Sequence, residues 1–109
     1  MQFQDAWLEI RSCEHKPVKE LEHETVLSIQ ALKEVMKVAE DTLTDMQRKG
    51  GAAMWDYSRR LDKGEVDEVM PVFEAIEAKG NDRGASYFME VAYGGRWYAL
   101  SLVGYYKAE

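Results

Sequence analysis

The chain of 109 residues has one cysteine, Cys13, and only two histidines and two prolines. A lone thiol excludes an intrachain disulfide, and the N-terminus Met-Gln-Phe-Gln-Asp lacks the basic and then apolar pattern of a secretory leader. A cytoplasmic, reducing location is the expectation. No apolar run approaches the roughly 18 residues that a membrane helix needs, because charges interrupt each one. Positive charge is in the minority: 14 lysines and arginines against 20 acidic residues give a net charge of −6, which argues against a general binder of the phosphate backbone, since that would carry a cationic excess.

Motifs that would announce chemistry are missing as well. Gly50-Gly51 and Gly94-Gly95 are the only adjacent glycine pairs, and neither sits in a phosphate-cradling or dinucleotide-binding signature. No Gly-x-Ser-x-Gly elbow supports a hydrolase triad. Cys13 lies two residues from His15, but a nucleophilic cysteine needs a base placed by the fold and a lowered pKa, and adjacency supplies neither. No internal repeat or low-complexity tract interrupts the sequence.

What remains is the composition of one globular domain spanning residues 1–109, with 46% hydrophobic and 31% charged residues. Its clearest local signal is at the C-terminal end. Ser86–Tyr93 and Arg96–Val103 are β-rich runs around the two-residue loop Gly94-Gly95, the signature of a hairpin. The register pairs Tyr93 with Arg96, Val91 with Tyr98, Met89 with Leu100 and Tyr87 with Leu102. That places large apolar side chains on one face and Phe88 and Trp97 on the other. Near the N-terminus, Leu8 and Ile10 alternate with Glu9 and Arg11, which suits a strand able to extend the hairpin to three strands.

Between these ends the pattern is helical. Residues 17–49 read as one helix, opened by Pro17 and stopped by Gly50-Gly51, with Ile29, Leu32, Met36, Ala39, Leu43 and Met46 forming a single apolar seam. Unbroken, it would run roughly 50 Å, against a radius of gyration near 13 Å for a compact chain of this size. Either the helix bends or starts late, near Glu22–Thr25, or a second copy covers the overhang. The seam is therefore a candidate homodimer interface, on which Met36→Glu would yield a monomer. Two shorter helices are expected, over Ala52–Leu61, ended by Lys63-Gly64, and over Val66–Lys79, where Pro71 demands a late start or a kink. The predicted fold class is α+β: the hairpin, with or without the N-terminal strand, packed on one long and two shorter helices.

Functional candidates are few. Acid is concentrated at Glu65, Asp67, Glu68, Glu74 and Glu77, after a basic stretch holding Arg48, Lys49, Arg59, Arg60 and Lys63. With Phe88 and Trp97, these carboxylates form a candidate contact surface for a protein partner. The leading expectation is a non-enzymatic inhibitor, adaptor or regulator acting through protein contacts, including occlusion of a basic, nucleic-acid-binding surface on its partner. It has no cofactor, metal or catalytic residue, and direct nucleic-acid binding is disfavoured. One alternative is a small-molecule module with a pocket between sheet and helices lined by Trp55, Tyr57, Trp97 and Tyr98. Another is a metal-dependent enzyme using Glu20 and His23, which would share a face at helical spacing.

Overall fold

A computed structural model of the chain describes residues 3–50 and 55–106. The elements in order are β1 (Asp5–Ser12), β2 (Lys19–Glu20), α1 (His23–Ser28), α2 (Gln30–Arg48), β3 (Asp56–Leu61), α3 (Lys63–Val69), a 3-10 turn (Met70–Phe73), β4 (Lys79–Gly80), β5 (Gly84–Tyr93) and β6 (Arg96–Tyr105). They form an α+β fold in which the helices lie on one face of a six-stranded mixed sheet of order β2-β5-β6-β1-β3, with β4 also on β5.

The hairpin forms in the expected register, from Tyr93 opposite Arg96 to Tyr87 opposite Leu102. Gly94 and Gly95 adopt φ of 58° and 77°, the left-handed pair that a two-residue turn needs to follow the twist of its strands. Arg96 straps this turn to α2, donating to the Glu40 carbonyl at 3.0 Å and to Thr44 Oγ1 and Gln47 Oε1 at 3.2 Å. β1 is a strand as its alternation suggested, antiparallel to β6 on one side and to β3 on the other. The sheet is larger than the three strands expected, because β3 and the short β2 and β4 join it.

The helical stretch from Pro17 is not one unbroken helix: it both starts late, within Glu22–Thr25, and bends. Lys19 and Glu20 pair with β5 in parallel, and the helix begins only at His23. It breaks at Ile29, whose φ of −117° and ψ of 105° are extended. The break turns the chain so that α2 alone crosses the sheet. Ile29, Leu32, Met36 and Ala39, at 9%, 0%, 1% and 0% exposure, are all buried in the intramolecular core. Leu43 is partly buried against that core, and Met46 is half-buried. The apolar seam therefore packs on the chain's own sheet, and its four buried members offer no surface to a second copy.

The short helix expected over Ala52–Leu61 is replaced, from Asp56 on, by strand β3; residues 52–54 lie outside the described residues. Lys63-Gly64 opens α3 rather than closing an element. Asp62 caps it: its carboxylate accepts from the Glu65 N–H at 2.8 Å, and Glu65 Oε1 accepts in return from the Asp62 N–H at 3.1 Å. Pro71 falls in the first turn of the 3-10 segment, where its missing N–H leaves no bond broken. That resolves the difficulty of a helix over Val66–Lys79, since the helix has ended at Val69.

One polar residue sits on the core side of β3. Arg59 lies between the two helices, with Nε 2.8 Å from Glu34 of α2 and Nη1 2.5 Å from Glu65 of α3. A hydrogen bond from Gln30 and the Arg59 charge lower the Glu34 pKa. The charged form of Glu34 thus contributes stability above the unfolded carboxyl's pKa, near 4.5, and that contribution is lost as pH falls through the depressed folded value. Arg59→Ala is expected to lower the melting temperature by a few degrees at pH 7 and to flatten the acid limb of the stability curve. Thermal melts from pH 3 to 7 check both, and an unchanged acid limb would show the ion pairs to be inert.

Candidate functional site

Because every helix packs on one side, the strands' alternate side chains are left uncovered on the other. The register assembles them into cross-strand rows. Glu90, Ala99, Arg11 and Asp56 form one row across β5, β6, β1 and β3; Phe88, Ser101, Glu9 and Ser58 form the next; Ser86, Val103, Trp7 and Arg60 form the third. Trp97 and Tyr105 stand at opposite ends of β6 on this same face. Phe88, Trp97 and Tyr105 are 46%, 41% and 50% exposed, so three of the chain's largest apolar side chains meet solvent together. Isolated exposed apolar residues are ordinary on a soluble protein; here three of them lie on the same uncovered face, spread along the length of the hairpin.

The face is organised by side chains that reach across the narrow central strand. Arg11 lies over the Phe88 ring, 5.7 Å from its centroid, and Cys13 Sγ comes within 2.7 Å of Glu90 Oε2. Arg11 crosses β6 over the small residues Ala99 and Ser101, and Cys13 crosses between Trp97 and Ala99; Ala99 is only 4% exposed although it sits on the open side. Farther along, Arg60 pairs with Asp5 and lies 5.9 Å from the Trp7 ring centroid, while Trp7 meets Tyr105 edge to face at 5.6 Å. These contacts restrain the Phe88, Trp7 and Tyr105 rings on the uncovered face. On the β1 and β3 side, a depression of about 190 Å³ opens beside Glu9, Asp56, Ser58 and Ser101.

The thiol is arranged against reactivity. Burial raises the Cys13 pKa, and the hydrogen bond to Glu90 raises it further, so the proton stays on sulfur and is shared between Glu90 and the His15 carbonyl.

The predicted contact set is divided by the sheet. Phe88 and Trp97 lie on the uncovered face, whereas Asp67, Glu68, Glu74 and Glu77 are exposed in the helical layer behind it. Glu65 is engaged internally, as the partner of both Asp62 and Arg59. The aromatic pocket is divided too: Trp55 packs edge-on against the buried Tyr98 at 6.4 Å on the core side, while Trp97 points the other way. Tyr57, also on the core side of β3, packs against the core. The two groups nominated for a metal do not share a helix, since Glu20 is in β2 and His23 opens α1. His23 Nδ1 instead lies 2.6 Å from the Tyr93 hydroxyl. Among the described residues no group of three or more histidine, cysteine or acidic side chains converges on a common point, and no helix is long and apolar enough to cross a membrane.

A separate cleft of about 480 Å³ lies where β1, β3 and α3 meet, floored by Phe3, Ala6, Leu61, Val66 and Met70, with the exposed Lys63 and Asp67 beside it. Sequence reasoning missed it because its floor comes from three segments that only the β1–β3 pairing brings together. Comparison with protein-family models, with curated proteins and with solved structures finds no match for this chain.

Proposed function

We propose that this chain is a non-enzymatic binding protein, an inhibitor, adaptor or regulator, that docks a protein partner on the uncovered face of its sheet. The observation that carries the reading is the joint exposure of Phe88, Trp97 and Tyr105 on that face, beside Trp7 and Val103. Aromatic anchors surrounded by polar groups are the recurrent energetic centres of protein interfaces. The charge of the surface favours a protein over a nucleic acid. The carboxylates of Asp5, Glu9, Asp56 and Glu90 outnumber the guanidiniums of Arg11 and Arg60, and both arginines already lie over rings of their own chain. A single, protonated thiol suits a reducing compartment such as the cytoplasm.

The test compares the wild type with Phe88→Ala/Trp97→Ala, first confirming equal melting temperatures, since both side chains are solvent-facing. Proteins retained from the native host by the wild type and lost by the double variant are then made recombinantly and titrated by calorimetry. Loss of tenfold or more in affinity is expected. Retention of the same partners at unchanged affinity would reject the sheet face as the docking surface.

The cleft beside Phe3 supports a second reading, a small-molecule site, because its volume lies within the range of ligand cavities. A metabolite that raises the melting temperature of the wild type but not of Val66→Trp would favour it.

A further inference from the structure

We infer that the partner is a basic protein surface that inserts an arginine side chain into the depression between Glu9 and Asp56; this rests on the sheet-face reading above. The two carboxylates lie on neighbouring strands in adjacent rows, Glu9 opposite Ser58 and Asp56 opposite Arg11. Arg11, the cation nearest to them in the register, also lines the depression, but its guanidinium leans away, over Phe88 on the far side of β6. Arg60 is taken by Asp5. Among the described residues neither Glu9 nor Asp56 is in an ion pair, so the pairing of this face leaves its negative charge on one side, beside a dent of about 190 Å³.

The dent is shaped for one long side chain. Its volume is that of about six waters, and Ser58 and Ser101, which flank Glu9 on β3 and β6, add hydroxyl acceptors to its lining. A guanidinium presents five donors in a planar fork, enough to meet two carboxylates and a hydroxyl at once, where an ammonium presents three from a point. Phe88 lies across β6 from the dent and Trp97 farther along β6 on the same face, so a partner that covers the face must combine the cation with apolar surface. A second copy of this chain is the wrong occupant, since face-to-face packing would set a net negative surface against itself.

A random library of 12-residue peptides, panned against the folded chain, tests the assignment. Expected are sequences that share an arginine next to an aromatic or branched aliphatic residue. A synthetic peptide from that set should lose tenfold or more in affinity toward Glu9→Gln/Asp56→Asn, and as much when its arginine is replaced by citrulline. It should also lose affinity toward Phe88→Ala/Trp97→Ala. Peptides that need Phe88 and Trp97 but lack a basic residue, or ignore the Glu9→Gln/Asp56→Asn pair, overturn the arginine assignment and leave protein docking on this face intact. No enrichment, or enrichment indifferent to Phe88→Ala/Trp97→Ala, overturns both. A random oligonucleotide pool that binds through Phe88 and Trp97, or a dimer by sedimentation that Phe88→Ala/Trp97→Ala dissociates, would likewise replace the basic protein as occupant.

Discussion

Met36→Glu is expected to unfold most of the molecule rather than to separate subunits. Met36 is 1% exposed at the centre of α2, pressed on the sheet between Leu32 and Ala39. Removing its side chain alone would cost about 2–5 kcal/mol, and a carboxyl in its place adds an unsatisfied polar group. A domain of this size has about 5–15 kcal/mol in all. The penalty has a pH signature with a definite sign. A carboxyl buried here has a folded pKa raised above its unfolded value of about 4.3, so the folded state binds more protons and the variant loses stability as pH rises between those two values. Urea denaturation of variant and wild type at pH 4 and pH 7 should show the difference in stability widening at the higher pH. Met46→Glu, near the exposed end of the same seam, should shift stability by less than about 1 kcal/mol. A Met36→Glu protein as stable as the wild type but of half its sedimentation mass would restore the seam as a dimer interface.

The seam shows how far pattern alone reaches. Its spacing correctly identifies which residues of α2 share a face, but periodicity is identical whether the covering surface is the chain's own sheet or another molecule. What decided the matter was the break at Ile29, a β-branched residue in an extended conformation within an otherwise helical run. The hairpin register was fully legible because its alternation and its glycine pair agree with each other. Strand β3 was hidden by Arg59, a charged residue at an inward position that breaks the apolar alternation of Tyr57 and Leu61; only the approach of Glu34 and Glu65 makes it tenable. The start of α3 was written in the sequence as Asp62 followed three residues later by Glu65, but the neighbouring Lys63-Gly64 suggested a stop.

The candidate surface was legible in part for the same reason. Phe88 and Trp97 were assigned to the outer face by alternation alone. Tyr105 joins them because β6 keeps its alternation to its last residue, and Trp7 because β1 pairs with β6 along its whole length. The crossing contacts of Arg11 and Cys13 depend on two strands far apart in sequence, so no local pattern announces them. Charge segregation, by contrast, pointed to carboxylates on a different side of the molecule from Phe88 and Trp97. The dense run from Glu65 to Glu77 lies in the helical layer, whereas the carboxylates beside the exposed aromatics, Glu9, Asp56 and Glu90, are scattered along the chain and meet only in the sheet.

Gly104→Val should cost about 2–3 kcal/mol, and the cost should depend on a residue a hundred positions away. On the core side, Ala85, Gly104 and Ala6 are cross-strand neighbours on β5, β6 and β1, a row of three small residues. The row leaves a slot, and the Phe3 ring occupies it, 8% exposed and stacked on Tyr106 at 5.4 Å with an interplanar angle of 16°. A Cβ on Gly104 would fall inside the Phe3 ring. Backbone conformation is not the obstacle, since Gly104 is not among the glycines with positive φ. Valine would otherwise suit a central strand better than glycine does. The substitution therefore costs the burial of Phe3, about 2–3 kcal/mol when a phenylalanine is moved into water, together with its stack on Tyr106. In a Phe3→Ala background the slot is already vacant, and Gly104→Val should then be neutral or stabilising. A double-mutant cycle in urea should return a coupling of at least 1 kcal/mol between the two positions. Simple additivity would mean that Phe3 does not fill this slot in solution, and with it would go the Phe3 wall of the cleft between β1, β3 and α3.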